Sequence, residues 1–428
     1  MLKNILNIRH RYKGSFAAHI LTLMTGTALA QSIPILASPI LSRLYSPQDF
    51  GIFAVYMAIV SMVSLVATGR YELSIMLPDD EESAASIFVF SFLIVLSVSL
   101  ATFILLLTFK GFLASFFDGR LAAVLLYLIP ITVFFTGAYQ LLNYWAIAKK
   151  KFSRLATNRV YQSGTATGFQ LGSGLFTPGA LGLVSGQVVG QCVGSGVLGW
   201  KTWKEDRDKL KSVTKENMIC QAVRYKRFPL YSLLADFINT AANQVPNFLL
   251  SFFFGASTVG FFFLPQRVLG SPSSLIANSI LDVFKERASR DYRTSGNCLD
   301  IYLKTFKHLL LISFLPFAAL YFFTPVLIPF IFGAEWKIAG EYAQILSIMF
   351  FFRFVSSPLS YVLYIAERQN YDLIWQVFLF MFTVIAIGIG IYLNSAKISI
   401  ACFALIYSAM YIVYLFLSYD AAKGNKRL

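Results

Sequence analysis

KTWKEDRDKLKSVTKENMICQAVRYKR, residues 201–227, is the longest polar stretch of the chain, and its position decides how the rest is divided. It carries nine Lys or Arg, with about 200 residues before it and about 200 after it. Both flanks are dominated by long apolar runs. The division predicts a six-helix lobe over 1–200, a basic cytoplasmic linker over 201–227 and a second six-helix lobe over 228–428.

Composition says what the flanks are. The chain is 57% hydrophobic and 13% charged, with a mean hydropathy of +0.65. Soluble domains carry about 25% charged residues. This much apolar surface cannot be hidden in a soluble fold, so lipid is the solvent. The net charge of +15 would suit nucleic acid, but the basic residues sit in short loops between apolar runs, and no nucleic-acid partner is expected. The basic start MLKNILNIRHRYKG precedes a run long enough to span and lacks a small-residue cleavage site, so no cleavable leader is expected. The four cysteines show neither a disulfide framework nor a metal spacing.

A spanning helix needs about 20 mostly apolar residues. Twelve stretches qualify: 15–42, 50–74, 84–109, 120–148, 155–176, 180–200, 228–254, 258–284, 303–332, 338–366, 371–393 and 398–419. The fold class is therefore all-α integral membrane, with both termini on one side. If that side is the cytoplasm, inner ends hold 29 Lys or Arg and outer ends five, Arg43, Lys110, Arg120, Lys337 and Lys397. That bias sets the orientation. The outer loops are short and leave no room for a catalytic periplasmic domain.

The two flanks also resemble each other. TALAQSIPIL (27–36) and TAANQVPNFL (240–249) share Thr-Ala, an amide and a proline at nearly equal spacing. DFGIF (49–53) and TVGFFF (258–263) each place a glycine before apolar residues that open the next helix. The similarity is ordered, at an offset of about 210 residues. It predicts a parallel repeat about an axis along the membrane normal, a plan shared by secondary transporters. Two glycine series recur every fourth residue: Gly164, Gly168 and Gly172, then Gly182, Gly186, Gly190 and Gly194. Both are expected to be smooth ridges for close helix packing; a substrate-facing groove is the lesser alternative.

Ionisable residues deep in a bilayer cost about 2.5–3.5 kcal/mol each on insertion scales, which makes them functional candidates. Asp236 and Arg267 are expected at similar depths, about 12 and about 17 Å from the inner face. They would form either a structural pair or separate parts of a polar cavity. Arg353 lies in the tenth stretch. His19, Gln31, Gln140, Asn143, Asn243 and Gln244 add polar groups. Guanidinium forks match phosphate oxygens, so Arg267 and Arg353 point to a phosphate-bearing cargo. Asp236 is alternatively a protonatable coupling site. Arg70 and Glu72 sit where the second stretch ends. Asp79, Asp80, Glu81 and Glu82 follow as an acidic loop, expected to be solvated or, as an alternative, docked on the basic linker as a gate. There is no Walker A sequence and no metal-like histidine spacing, so no enzyme activity and no cofactor are expected.

PILSRLYSPQDFGIFAVYMAIVSMVSLVATGRYELSIMLP (39–78), above all RLYSPQDFG (43–51) and TGRYELSIMLP (68–78), resembles the first two helices of bacterial polysaccharide-repeat-unit flippases. These belong to the multidrug/oligosaccharidyl-lipid/polysaccharide exporter superfamily. The helix count, the six-plus-six division and the linker extend the resemblance over essentially the whole chain. It implies two lobes around a central cavity that opens alternately to either side. It implies a polyprenyl-pyrophosphate-linked oligosaccharide as cargo, moved from the cytoplasmic to the periplasmic leaflet of a bacterial inner membrane for O-antigen, capsule or exopolysaccharide. An H⁺ or Na⁺ gradient would drive the step. A polysaccharide polymerase and chain-length proteins are the implied partners beside membrane lipids. The alternatives are a drug/cation antiporter of the same fold, a membrane glycosyl polymerase, and a non-transporting scaffold of an assembly complex.

Overall fold

The computed structural model describes residues 16–114 and 121–424. Expectations for the basic N-terminus, Arg120 and the last four residues, and for the side chains of His19 and Lys110, fall outside what is described. Among the described residues every regular element is helical: α1 (Phe16–Leu44), α2 (Pro47–Ala67), α3 (Glu81–Ala114), α4 (Leu121–Ala148), α5 (Phe152–Phe176), α6 (Ala180–Lys211), α7 (Lys215–Arg224), α8 (Leu233–Phe254), α9 (Ala256–Pro265), α10 (Ser271–Ser295), α11 (Leu299–Phe332), α12 (Lys337–Leu359), α13 (Val362–Ile365), α14 (Gln369–Tyr392) and α15 (Ala396–Ala422). A 3₁₀ segment, Tyr71–Met76, follows α2. Five-residue π turns precede α8 and α10, at Phe228–Ser232 and Gln266–Gly270.

Long helical runs stand at all twelve predicted spans. Nine are long and apolar enough to cross a membrane among the described residues. The other three are α5, α8 and the α9–π–α10 run. They fall short for a physical reason: Asn158, Arg159, Gln162 and Gln170 on α5, Asp236, Asn239, Asn243, Gln244 and Asn247 on α8, and Gln266, Arg267 and the serines of α10 dilute their apolar content. Such helices are tolerated at membrane depth where their polar faces meet protein or water. The protein is an all-helical, multi-pass membrane protein.

Two differences from expectation concern segment ends. The stretch read as a linker is itself helical: Lys201–Lys211 continues α6, and Thr214 caps the separate helix α7 by accepting the Asn217 N–H. Strong helix formers, Lys, Glu, Arg and Leu, carry the helix past the apolar run. The eighth stretch is not one straight helix to residue 284. A π turn interrupts it, and α10 runs on to Ser295, where Gly296 (φ +71°) ends it.

The chain forms two compact units, Met1–Tyr45 with Tyr56–Phe237, and Ser46–Val55 with Ile238–Leu428. In the first, α5 packs on α1 and α6, and α4 on α3 and α6. An apolar core gathers Tyr71 and Ile75 of the 3₁₀ segment, Phe88 of α3, Leu141 and Trp145 of α4, Leu155 of α5, Leu198 of α6 and Tyr225 just after α7. Buried amides cross between its helices: Gln162 donates to Gln191 (2.8 Å), Asn158 to the Gly194 carbonyl (3.0 Å) and Gln170 to the Leu183 carbonyl (2.9 Å). Such bonds replace the hydrophobic drive that lipid does not supply.

In the second unit, α11 packs on α12, and α14 and α12 pack on α15. The segment Ser46–Val55 belongs here for reasons legible in RLYSPQDFG. Ser46 and Asp49 form a capping box: Ser46 donates its N–H (2.9 Å) and its hydroxyl (2.7 Å) to Asp49 Oδ2, and the Asp49 N–H donates back to Ser46 Oγ (3.2 Å). Pro47 occupies the first helical position, where it lacks nothing the helix needs. Phe50 stands edge-on to the fully buried Trp336 (5.1 Å), and Phe53 to Phe263 (6.0 Å).

The crossing of α2 and α9 is symmetric. A Cβ on Gly51 would meet the Ala256 carbonyl oxygen at 1.7 Å and the Gly260 nitrogen at 3.1 Å. A Cβ on Gly260 would meet the Pro47 carbonyl oxygen at 1.8 Å and the Gly51 nitrogen at 3.1 Å. Each glycine faces the other and the carbonyl four residues before it. Self-complementary contacts of this kind lie across a two-fold axis. Gly51 and Gly260 are the glycines that align in DFGIF and TVGFFF, so the repeat in the sequence is a physical pseudo-symmetry at this contact.

Candidate functional site

The second unit holds a cavity of about 360 Å³. Its wall combines Arg353 with Gln266, Ser271, Ser273, Ser274, Asn278 and Ser357, together with the rings of Phe350 and Phe354. The π turn at Gln266–Gly270 brings Gln266 and Gly270 to this wall, and Gly270 packs against Phe350, whose ring a Cβ would meet at 3.1 Å. π turns inside helices often mark functional sites. Arg353 is exposed into this space and lies within electrostatic reach of Tyr411 and Tyr407. Arg267 lies on the π turn itself and is half-buried, but it does not line the cavity. The cavity thus joins Arg353 to hydroxyls and amides rather than to Arg267.

The first unit gathers the other predicted charges. After α2, Gly69 (φ +58°) and Arg70 (φ +61°) turn the chain in the left-handed region, which is uncommon for arginine. The turn puts Glu72 into the apolar core with no exposed surface. Arg70 donates to Glu72 (3.3 Å) and forms a short ion pair with Asp236, in the first turn of α8. Tyr144 is within electrostatic reach of all three. The side-chain Oδ1 of Asn143, its neighbour on α4, is buried without a hydrogen bond, as are Glu72 Oε2 and Arg70 Nε. Gln140, three residues earlier on α4, is half-buried. Asp236 therefore takes Arg70 as its partner, which corrects the Asp236–Arg267 alternative. The π turn at 228–232 runs directly into α8, and Asp236, in the first turn of α8, meets Arg70 just beyond the end of α2.

The acidic loop is docked, not merely solvated. Asp80 accepts the Ser83 N–H (2.6 Å), which caps α3 and holds that carboxyl below the usual carboxylate range. Glu81 pairs with Lys149 (2.8 Å) and with Lys209 of the α6 tail. Glu82 accepts from Asn217 (3.0 Å), Gln221 donates to Ser83 Oγ (3.0 Å), and Tyr71 donates to the Ala222 carbonyl (3.0 Å). Trp145 donates to Asp206 (2.9 Å), and Glu205 holds Arg154 and Lys151. The stretch from Lys201 to Arg224 is bound to the first unit along its length.

A family model described as polysaccharide biosynthesis protein matches residues 40–341. The chain belongs to that family. No curated protein sequence is similar enough to count as a match. Among solved structures, the chain is similar to a lipid II flippase, MurJ, in an inward closed conformation. The TM-score is 0.75 at 13% identity, covering 94% of this chain and 87% of that one. It is also similar to an inward-facing multidrug resistance MATE transporter of the MOP superfamily, with TM-score 0.67 at 14% identity, covering 92% and 93%. A third likeness is to a MOP superfamily transporter from Pyrococcus furiosus, with TM-score 0.60 at 16% identity and 94% of each chain. These identities show the fold alone, one shared with that flippase and with those transporters.

The family match contains Arg70, Glu72, Asn143, Gln140, Asp236 and Arg267 but stops before Arg353. It also stops before a residue that the sequence reading missed. Asp372, nearly fully buried at the start of α14, accepts hydrogen bonds from Tyr364 (2.8 Å), Gln376 (2.8 Å) and Tyr414. Trp375 stacks on Tyr414 with ring centroids 4.0 Å apart. In sequence Asp372 reads as an ordinary acid favouring a helix start. The signal was its spacing to Gln376, one turn on, with an aromatic between. Arg368, four residues before it, pairs with Asp420 (2.8 Å).

Proposed function

We propose that this family member is a flippase. It moves polyprenyl-pyrophosphate-linked oligosaccharide repeat units from the cytoplasmic to the periplasmic leaflet of a bacterial inner membrane, by alternating access driven by an H⁺ or Na⁺ gradient. The observation that carries the reading is the cavity beside the π turn, where one arginine stands among four serines, an asparagine and a glutamine. A guanidinium pairs with pyrophosphate oxygens. Hydroxyls and amides suit the donors and acceptors of a glycan. Family membership and the flippase-like fold support the same class.

In this reading Arg353 contacts the pyrophosphate and Arg267, on the adjoining turn, contributes positive potential. Within the first unit, Gln140 and Asn143 are hydrogen-bonding groups available to a glycan. Arg70, Glu72 and Asp236 form a charged latch at the end of the first unit that carries the linker, with Asp236 its most accessible acid and the candidate for coupling to the ion gradient. The linker and both termini face the cytoplasm, as the Lys and Arg bias requires. A polymerase and chain-length proteins would take the translocated units.

The test is translocation of a lipid-linked oligosaccharide in sealed vesicles, comparing wild type with Arg353→Ala. Transport by wild type that falls at least about tenfold in the variant, at equal reconstituted amount, is the expected result; that is the ~1.4 kcal/mol or more lost with one charge-assisted contact. Wild-type transport unchanged by the substitution removes Arg353 from the site. No wild-type transport of any glycan-lipid, with export of organic cations instead, replaces the reading by a drug/cation antiporter.

A further inference from the structure

The segment Lys215–Leu234 has one face covered by the first unit's α3 and core and an exposed apolar stripe on the other. The covered face carries Asn217, Gln221, Tyr225 and Phe228. Gln221 and Tyr225 are buried against the first unit, Asn217 is tied to Glu82, and Phe228 packs on the unit's apolar core. Ile219 and Val223 stand one turn apart on α7, and Leu230 and Leu234 four residues apart beyond the turn at Tyr225–Lys226, with 53%, 58%, 60% and 61% of their surfaces exposed. Lys215, Lys226 and Arg227 lie exposed around that stripe, and Glu216 is the acid on the same side.

The tail of α6 repeats the arrangement. Its Glu205 and Asp206 turn to the first unit, while Trp200 and Trp203 are 66% and 50% exposed. Lys204 stands over the Trp200 ring, and Arg207 and Lys211 over the Trp203 ring. The other three tryptophans of the chain, Trp145, Trp336 and Trp375, are buried. Exposed indoles beside cations at the end of a spanning helix are the composition of a membrane–water interface. Depth agrees: α7 is fastened to Glu82 and Ser83, the first turn of the spanning helix α3, which places it at the level where the bilayer ends.

We propose that α7, the π turn after it and the α6 tail form an interfacial platform for anionic phospholipid. Ile219, Val223, Leu230 and Leu234 enter the acyl boundary, and Lys215, Lys226 and Arg227 hold phosphate headgroups. An amphipathic helix with cations around its apolar face lies in the plane of the interface. Each cation near an anionic surface contributes about 1 kcal/mol, which is about fivefold in lipid affinity. The platform is independent of the cargo assigned to the cavity, and its test needs no transport.

The full-length protein is reconstituted in nanodiscs of phosphatidylcholine, with or without phosphatidylglycerol. A spin label is placed by Ile219→Cys in a background whose native cysteines are replaced by serine. Relaxation by oxygen that exceeds relaxation by a water-soluble nickel chelate, more so with phosphatidylglycerol present, is the expected result. Nickel access that dominates in both lipids overturns the proposal. Protection from both relaxers also overturns it, because a protein surface then covers the stripe. A second measurement keeps the native cysteines: phosphatidylglycerol retained in native mass spectrometry should fall about 100-fold in apparent affinity for Lys215→Gln/Lys226→Gln/Arg227→Gln. Equal retention by wild type and variant overturns the anionic-lipid assignment.

Discussion

Helices α5 and α6 carry the same signal in sequence and put it to opposite uses. Both repeat glycine every fourth residue. On α6, Gly182, Gly186, Gly190 and Gly194 all face neighbours at less than van der Waals distance: a Cβ on Gly186 would meet Gln170 Cγ at 2.4 Å, and one on Gly190 would meet Ala166 Cβ at 2.6 Å. On α5, a Cβ on Gly164, Gly168 or Gly172 would meet no atom within 4 Å. The expectation of close packing holds for one series and fails for the other. Spacing alone says that a ridge is smooth; it does not say that anything lies against it. The α6 glycines face α5 through its other side, where Gln162, Ala166 and Gln170 point.

The contrast can be broken most severely away from both series, at the symmetric crossing. Gly51→Ala places a carbon 1.7 Å from the Ala256 carbonyl oxygen, a backbone atom held in its own helix. No rotamer relieves that contact. The expected outcome is a loss of about 3–5 kcal/mol, enough to remove most monodisperse protein in size-exclusion chromatography. Gly260→Ala should match it, since its contacts mirror those of Gly51. If one variant folds normally and the other does not, the pseudo-two-fold reading of this crossing is wrong.

That crossing also shows what the sequence carries. Ser46, Pro47, Asp49 and Gly51 each have a local physical role, so RLYSPQDFG by itself announces a helix start and a close approach. The repeat was legible because Gly260 needs the same approach as Gly51. The twelve runs were legible because lipid demands long apolar helices. Partners were not. Asp236 reads as an isolated acid in a span, and its pairing with Arg70 spans 166 residues. Asp372 gathers Tyr364 and Gln376 nearby but also Tyr414, 42 residues on. Long-range polar contacts leave no periodicity to read.

A middle effect is expected within the packed series. Gly186→Ala presses on Gln170, whose amide is committed to the Leu183 carbonyl, and on the Ala166 carbonyl at 2.8 Å. The side chain yields part of the space and the backbone does not, so the cost should be about 1–3 kcal/mol. A lowered thermal unfolding midpoint in fixed detergent is the readout. An unchanged midpoint would mean that α5 and α6 separate without cost, and the amide bonds between them would then carry the packing alone.

The smallest effect is the sharpest test of the comparison, because its sign is opposite. Gly168→Ala adds a methyl group where nothing lies within 4 Å, in the middle of a helix whose backbone the glycine leaves loose. Glycine is less favourable than alanine in a helix interior by up to about 1 kcal/mol. The substitution should therefore raise the unfolding midpoint slightly or leave it unchanged, while Gly186→Ala in the neighbouring helix lowers it. If Gly168→Ala is as destabilising as Gly186→Ala, a surface that packs on α5 exists in the folded protein and the open series is a contact after all. If it is stable but slows translocation of a bulky cargo, the open glycine face is part of the route, and the spacing shared with α6 marks clearance there instead of packing.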